Sequence, residues 1–254
     1  MIIIKSPKEI EGIKEASKIL SLTFEHINSV ISEGMRTKDL DKLIDDFINK
    51  NKACPAFKGY RGFPAAACIS VNEVVIHGIP DERVIKEGDI VGVDVGVKHQ
   101  GFYSDAAYTF GIGNLSKEAE NLLAVTKTAL YNAIEKTETN NRIGDISNAV
   151  QKTAENAGFS VVRDFVGHGV GKNLHEDPAI PNFGQKGVGT RLKSGMTIAI
   201  EPMINIGSHK VKILSDGWTV VTEDKNLSAH FEHTILISEN RPEILTKSSL
   251  YEKF

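Results

Sequence analysis

The sequence is poor in cysteine and has no long apolar run. Cys54 and Cys68 are too few for a disulfide framework and too sparse for a cysteine-based zinc site, so we expect both to be reduced and partly buried. No apolar stretch approaches the roughly 18 residues that a membrane span needs. The start, MIIIKSPKEIEGIKE, lacks the charged region and apolar run of a secretory signal. We therefore expect a cytoplasmic protein with no membrane partner.

An excess of basic residues is also absent. Lys and Arg total 30 against 33 Asp and Glu, a formal net charge of -3, which argues against a basic nucleic-acid-binding face. This balance leaves room for a weak, transient contact with a large assembly such as the ribosome. Apolar residues make up 41% of the chain, enough for one sizeable core, so we expect a single catalytic domain over residues 1–254.

Hydrophobic periodicity predicts an α+β protein in which pairs of helices alternate with strands. Ser6-Pro7-Lys8-Glu9 is a capping box, and apolar residues then recur at helical spacing, which predicts a helix over about residues 7–32. Further helices are predicted from Thr37, from 114–116 to about 138, and from Asp145 to Gly158. Residues 66–76 and 90–97 are rich in valine and isoleucine and predict strands, and residues 101–110 continue that sheet after a turn. Further strands are predicted at residues 159–166, 196–203, 217–221 and 230–238.

The two halves of the sequence resemble each other. Residues 36–40 read Arg-x-x-Asp-Leu and residues 142–146 read Arg-x-x-Asp-Ile. Residues 86–94 contain Lys-x-Gly and end in Asp, and residues 193–201 contain Lys-x-Gly and end in Glu. Two matches at nearly one offset predict an internal duplication, with the halves 1–112 and 113–254.

Four carboxylates lie in or beside segments that otherwise suit a sheet interior: Asp94, Asp105, Glu201 and Glu232. An unpaired ionised carboxylate is costly in a low-dielectric interior, so each needs a cation or a proton. Any one of them could pair with Lys or Arg, or end a strand with its side chain in water. Their placement in two related halves, together with His168 between two glycines, favours a metal site instead.

The predicted ligand set is three or four carboxylates and one imidazole. Such oxygen and nitrogen donors suit divalent Mn, Fe, Co or Zn rather than a thiolate-selected metal. Two ions are favoured over one, because four carboxylates would overload a single small cation with negative charge. Bridging carboxylates can hold two ions around a shared water or hydroxide, an arrangement that performs hydrolysis.

Four motifs resemble those of type I methionine aminopeptidases, over nearly the whole chain. They are residues 72–80 (Asn-Glu-Val-Val-Ile-His-Gly-Ile-Pro), 167–171 followed by His175, 201–203 (Glu-Pro-Met) and 231–234 (Phe-Glu-His-Thr). The resemblance implies a monomer with the pita-bread fold, in which two pseudo-two-fold related α-α-β halves surround a central antiparallel-rich sheet. It also implies two divalent ions, bridged by Asp105 and Glu232, on five ligands: Asp94, Asp105, His168, Glu201 and Glu232.

The activity that the resemblance implies is removal of the initiator methionine from nascent proteins, preferentially before a small second residue. Glu201 would act as general base, and a metal-bridged hydroxide would attack the carbonyl after the first residue. By the same resemblance, His175 stabilises the oxyanion and His77 hydrogen-bonds the substrate backbone. Neither is expected to bind metal. Out of this context, His77 could be an ordinary turn residue and His175 a surface residue.

The methionine side chain needs an apolar pocket, which aromatic residues line well. Tyr60, Phe63, Cys68 and Trp218 match pocket positions of the family, although each could be ordinary core. Three positions depart from familiar bacterial members and put pocket shape and second-residue preference in doubt: Phe57 replaces Cys, Leu174 replaces Phe, and His230 replaces Gln.

The remaining histidines are expected to lie outside the site. His26, His99 and His209 have no comparable setting and are interpreted as surface residues. His230 and His233 flank Glu232 and are predicted to lie on the opposite face of the sheet, hence not to be ligands.

Three alternatives share parts of this pattern. A prolidase or X-Pro aminopeptidase would share the five ligands but carries a large N-terminal domain, whereas 76 residues precede His77 here. A type II methionine aminopeptidase carries an inserted helical subdomain, for which residues 175–232 leave no room. A non-catalytic relative would have lost ligands that are all present in this sequence.

Overall fold

The computed structural model describes residues 1–239 and 241–252 and contains four α-helices in that range. The predicted domain, 1–254, thus includes three residues outside the described part: Asn240, Lys253 and Phe254. The helices are α1 (Pro7–Val30), α2 (Thr37–Lys50), α3 (Lys117–Ile134) and α4 (Ile143–Asn156). All four predicted helices are confirmed, with ends that differ by a few residues. Among the described residues, no helix is long and apolar enough to span a membrane.

Helix α1 begins where its capping box predicts. The backbone N–H of Ser6 donates to Glu9 Oε2 at 2.7 Å, and Ser6 Oγ accepts from the N–H of Glu9 at 3.4 Å. Pro7 follows at the first helical position, where its missing N–H costs nothing. The apolar face of α1 is buried against the two strands Ile90–His99 and Phe102–Gly111.

The strands are short except for one hairpin, and every recorded strand pairing in the described chain is antiparallel. They are β1 (Cys54–Pro55), β2 (Cys68–Val71), β3 (Val74–Ile76), β4 (Ile90–His99), β5 (Phe102–Gly111), β6 (Ser160–Val161), β7 (Val166–Gly169), β8 (Glu176–Pro181), β9 (Thr197–Ile200), β10 (Met203–Asn205), β11 (Val211–Ile213), β12 (Val220–Thr222), β13 (Ser228–His230), β14 (His233–Leu236) and β15 (Glu243–Ile244).

These strands form four sheets. Strands β1, β4, β2 and β5 form a four-stranded sheet around β4, and β15-β14-β9-β7-β8 form a five-stranded sheet. Two three-stranded sheets have the orders β13-β10-β6 and β11-β12-β3. The α+β class with antiparallel-rich sheets is therefore confirmed.

Several predicted strands are interrupted, and two of the interruptions fall at the predicted acids. The segment 196–203 divides into β9 and β10 at Glu201, since Pro202 has no N–H for a sheet ladder. The segment 230–238 divides into β13 and β14 around Glu232. Residues 217–219 are a turn rather than a strand. Glu201 and Glu232 thus leave the regular ladder at the positions where the sequence predicts ligands.

The internal duplication is visible at the start of the second helix of each half. Arg36 precedes α2 and forms an isolated antiparallel β-bridge with Val84. Arg142 precedes α4 and forms the same kind of β-bridge with Arg191. Each bridge partner lies two residues before a Lys-x-Gly segment, whose glycine has φ 85° at Gly88 and 86° at Gly195. Both matched segments of the sequence therefore have the same role in the two halves.

The β4–β5 hairpin separates the core from the site. Val91, Val93, Val95 and Val97 alternate along β4, are buried, and belong to the core that includes α1 residues. Asp94 lies between Val93 and Val95, so its side chain points to the other face. The helices therefore cover one face of this hairpin, and the predicted acids lie on the opposite face.

Candidate active site

The first two acids are neighbours on the β4–β5 hairpin. In its register Asp94 faces Ala107 and Asp105 faces Gly96, so the two acids are diagonal neighbours on one face. Ala107 also bridges to Glu232, whose N–H donates to the carbonyl of Ala107 at 2.9 Å. This contact brings an acid of the second half beside those of the first.

Glu201 and His168 complete the cluster from the five-stranded sheet. His168 lies in β7, which pairs with β9, and Glu201 follows β9 directly. His168 Nε2 lies 3.6 Å from Glu201 Oε1 and 3.8 Å from Asp105 Oδ2. The ligand atoms of Asp105, His168 and Glu232 all lie within 4.8 Å of one another, as the ligands of one ion would.

Two glycines hold His168 in place. A Cβ at Gly167 would lie 2.4 Å from the carbonyl oxygen of Ala199, and one at Gly169 would lie 2.3 Å from that of Asp177. The strand is therefore pressed between its neighbours. His168 Nδ1 lies 2.9 Å from the carbonyl oxygen of Gly169, which only an N–H on Nδ1 can satisfy. That tautomer directs the lone pair of Nε2 towards the acids.

Burial raises the pKa values of all four carboxyls, and repulsion by neighbouring acids adds to the shift at Asp105, Glu201 and Glu232. Burial raises the pKa of Asp94 to about 7, partly offset by a hydrogen bond with Asp105. Burial raises the pKa of Asp105 well above its usual value, and the charges of Asp94 and Glu201 add to this. The pKa values of Glu201 and Glu232 are raised for the same two reasons. Four buried acids with raised pKa values at one cavity mark a candidate functional site.

The cluster fits divalent metal ions better than structural ion pairs. No lysine or arginine of the described chain pairs with Asp94, Asp105 or Glu201, so the alternative in which each acid has a basic partner is not met. The Oδ1 atoms of Asp94 and Asp105 are buried without a hydrogen-bond partner in the described part. Carboxylate oxygens and a neutral imidazole are the donors that Mn, Fe, Co and Zn accept.

His77 and His175 lie at the cavity beside this cluster. His77, with φ 57°, follows β3 and packs edge-on against Phe165 and Trp218, at centroid distances of 5.7 and 6.2 Å. His175 Nδ1 lies 2.9 Å from the Tyr60 hydroxyl, and its ring centroid lies 4.2 Å from that of His168. Burial lowers the pKa of His77 to about 4 and that of His175 to about 3. Both imidazoles are therefore neutral.

The cavity has a volume of about 190 Å³ and combines the acids with apolar walls. Phe63 and Trp218 meet edge to face at 5.2 Å. Both cysteines were expected to be partly buried. Cys68 is buried, whereas Cys54 is exposed. All the residues predicted for the pocket line the cavity, and so do two of the three departures from the family, Phe57 and Leu174: Tyr60, Phe63, Cys68, Trp218, Phe57 and Leu174. Sequence reasoning missed four further lining residues: Arg61, Ile76, Phe165 and Val166.

The predicted position of His230 is wrong. Its Nε2 lies 3.9 Å from Glu201 Oε2 and 4.0 Å from Glu232 Oε2, so the ring faces the acids. Residues two apart on a strand share a face, and the spacing of His230 and Glu232 was the signal that could have found this. His233 does lie away from the acids, with Nδ1 2.8 Å from Thr246 Oγ1. None of the other three histidines predicted to lie outside lines the cavity, although all three are half-buried: His26, His99 and His209.

Comparison with known proteins agrees with this geometry. Residues 11–239 match the model of Metallopeptidase family M24. A methionine aminopeptidase of Clostridium perfringens is 53% identical over 246 residues, which cover 97% of this chain and 99% of that one. The crystal structure of a methionine aminopeptidase from Thermotoga maritima has a TM-score of 0.95 and 49% identity, covering 97% of this chain and 100% of that one.

A prolidase from Pyrococcus furiosus shares the fold at greater distance. Its TM-score is 0.80 and its identity 25%, and the match covers 96% of this chain but 65% of the prolidase. The expected pita-bread fold is confirmed by both kinds of neighbour. The difference in coverage favours the aminopeptidase alternative over the prolidase one.

Proposed function

Because the chain belongs to metallopeptidase family M24 and, within it, to the methionine aminopeptidases, we propose that it removes the initiator methionine from nascent proteins. Cleavage is preferred where the second residue is small. The observation that carries this proposal is the cavity, in which apolar walls lead to buried carboxylates. Apolar walls suit an unbranched thioether, and a hydrolytic centre at their end acts on the bond after the first residue.

We propose that two divalent ions, Co, Mn, Fe or Zn, would be held by the predicted ligands: Asp94, Asp105, His168, Glu201 and Glu232. The buried oxygens of Asp94 and Asp105 that lack hydrogen bonds support this assignment. When bound, such ions lower the pKa of a water molecule towards neutrality and polarise the substrate carbonyl.

Glu201 is the proposed general base. It lines the cavity and approaches His168, so its carboxylate can face a water molecule next to the scissile carbonyl. Glu201 accepts the proton of the attacking water and passes it to the amine of the departing second residue, which restores the carboxylate.

His175 and His77 are the proposed hydrogen-bond donors. When the Tyr60 hydroxyl donates to Nδ1 of His175, the proton of that neutral imidazole lies on Nε2. This N–H can stabilise the oxyanion that develops on the carbonyl. His77 hydrogen-bonds the substrate backbone near the scissile bond. Both roles require a neutral ring with one N–H, the state that burial favours.

The test is peptide cleavage with and without metal. The full-length protein is incubated with Met-Ala-Ser and Ala-Pro-Ser peptides, with added Mn or Co and with chelator, and products are followed by mass spectrometry. Metal-dependent release of methionine alone supports the proposal. Cleavage before proline assigns the chain to the prolidase type, and no cleavage despite bound metal assigns it to the non-catalytic type.

The remaining proposals concern the whole chain. We propose that residues 1–254 form one catalytic domain that acts as a monomer in the cytoplasm, on nascent N-termini. Light scattering after size exclusion tests the monomer, for which a mass near 27.8 kDa is expected. A doubled mass overturns it.

A further inference from the structure

His230 faces the candidate metal centre from behind the acids. We propose that it is a positioning residue, whose Nε2–H donates to carboxylate oxygens of Glu201 and Glu232 and fixes the orientation in which these acids hold the ions. This inference rests on the proposed function, since it assumes that the acids bind metal.

His230 and His168 lie at similar distances from the acids. His168 Nε2 lies 3.6 and 3.8 Å from carboxylate oxygens of Glu201 and Asp105. His230 Nε2 lies 3.9 and 4.0 Å from carboxylate oxygens of Glu201 and Glu232. The two rings approach different oxygens of Glu201, Oε1 for His168 and Oε2 for His230. Glu201 therefore lies between two imidazoles.

Two observations give His230 a different role from that of His168. His168 lines the cavity, whereas His230 does not, so His230 lies behind the acids rather than at the place of substrate and ions. His168 has its Nδ1–H held by the Gly169 carbonyl, which leaves Nε2 as an acceptor or ligand. No such carbonyl contact holds Nδ1 of His230 among the described residues. The Nε2 of His230 is therefore free to carry the proton.

The surroundings of His230 define which partner its Nε2 needs. The residue is 4% exposed, and its Nε2 is buried without a hydrogen-bond partner in the described chain. The two nearest acidic groups are carboxylates, which accept hydrogen bonds. A neutral imidazole has one N–H to donate, and these carboxylate oxygens lie nearest to Nε2. A movement of about 1 Å by either carboxylate brings it to the usual N–H···O distance of roughly 2.9 Å.

Such donors matter because they orient the residues that touch the metal. Removing an outer hydrogen-bond partner of a ligand typically costs about 10–100-fold in metal affinity or activity. His230→Leu removes the N–H while keeping an apolar side chain of similar reach. His230→Gln retains an N–H donor. His233→Leu is the matched control, because it removes a buried imidazole next to Glu232 that points instead at Thr246.

The experiment measures the Mn²⁺ affinity of the protein by electron paramagnetic resonance. It also measures the unfolding temperature of the metal-free protein in the presence of chelator. His230→Leu is expected to weaken Mn²⁺ binding by about 10–100-fold, with His230→Gln recovering most of it. His233→Leu is expected to lower the unfolding temperature but to leave the Mn²⁺ affinity close to that of the parent.

Three results overturn the proposal. One is parental Mn²⁺ affinity in His230→Leu, and another is an equal loss in His233→Leu, which would attribute the effect to a loosened fold. The third is a spin-echo spectrum of the parent with two coordinated imidazole nitrogens that falls to one in His230→Gln, which would make His230 a ligand. Because affinity is measured without turnover, the outcome does not depend on whether the protein releases methionine.

Discussion

Lys5→Met is expected to destabilise the protein by several kcal/mol, because it leaves a buried carboxylate without its cation. Lys5 Nζ lies 2.8 Å from Glu176 Oε2, and the two side chains are only 4% and 3% exposed. The contact is an ion pair without hydrogen-bond geometry. Glu176 also accepts from the backbone N–H of Asn173 at 3.0 Å, so it shapes the turn that precedes His175. The pair therefore ties the N-terminal segment to a wall of the cavity.

The magnitude follows from the burial of both partners. Removing one partner of a buried ion pair typically costs about 3–5 kcal/mol, because the other charge remains uncompensated. The double variant Lys5→Met/Glu176→Gln removes both charges and keeps an oxygen for the Asn173 N–H, so it should recover most of that loss. Lys14→Met is the control on α1, since Lys14 pairs with Glu243 at 2.8 Å with both side chains well exposed. It should cost about 0–1 kcal/mol.

Urea unfolding, followed by circular dichroism, measures these differences in the free energy of unfolding. In thermal unfolding, a loss of about 3–5 kcal/mol should lower the unfolding temperature by roughly 6–20 °C in a chain of this size. A loss in Lys5→Met no greater than that in Lys14→Met would refute the reasoning. So would a double variant as unstable as the sum of its single variants, since the charge of Glu176 would then not be the cause.

Three further predictions concern the site. Glu201→Gln should reduce methionine release by a factor of at least about 100–10,000 while the circular dichroism spectrum stays unchanged, and release within tenfold of the parent would exclude Glu201 as base. Trp218→Ala removes an apolar wall, so KM for a methionyl peptide should rise about tenfold with a smaller change in kcat; a change confined to kcat would contradict the pocket role. In the metal-free protein, prepared with chelator, burial raises the pKa of Asp94 from 3.8 to about 7. The contribution of Asp94 to stability is therefore complete below about pH 4 and is lost as pH rises through about 7. The unfolding temperature with chelator should accordingly fall between about pH 5 and pH 8, and the gain on adding Mn²⁺ should grow over the same range; a gain independent of pH would argue against the acids as ligands.

The sequence predicts the site well where charge conflicts with burial. Asp94 and Asp105 could be identified because an acid within an apolar strand requires a cation, whatever the rest of the fold. The start of α1 followed from its capping box, and the duplication followed from two matched segments. Each of these predictions depends on short segments of the sequence and not on contacts between distant segments.

Contacts between distant segments were beyond reach. Lys5 and Glu176 lie far apart in the sequence, so their buried ion pair could not be predicted from it. The predicted position of His230 was wrong although residues two apart on a strand share a face, which brings its ring towards Glu232. Arg61 lines the cavity through a turn with φ 48°, a conformation that its side chain does not predict.

The division of the acids between the two halves has a consequence for synthesis of the chain. Asp94 and Asp105 leave the ribosome early and can pair on their own hairpin, but the Ala107–Glu232 bridge cannot form until residue 232 has emerged. A nascent or truncated chain therefore presents an incomplete set of donors and competes poorly for metal. We therefore expect fragments that end before residue 232 to lack hydrolytic activity.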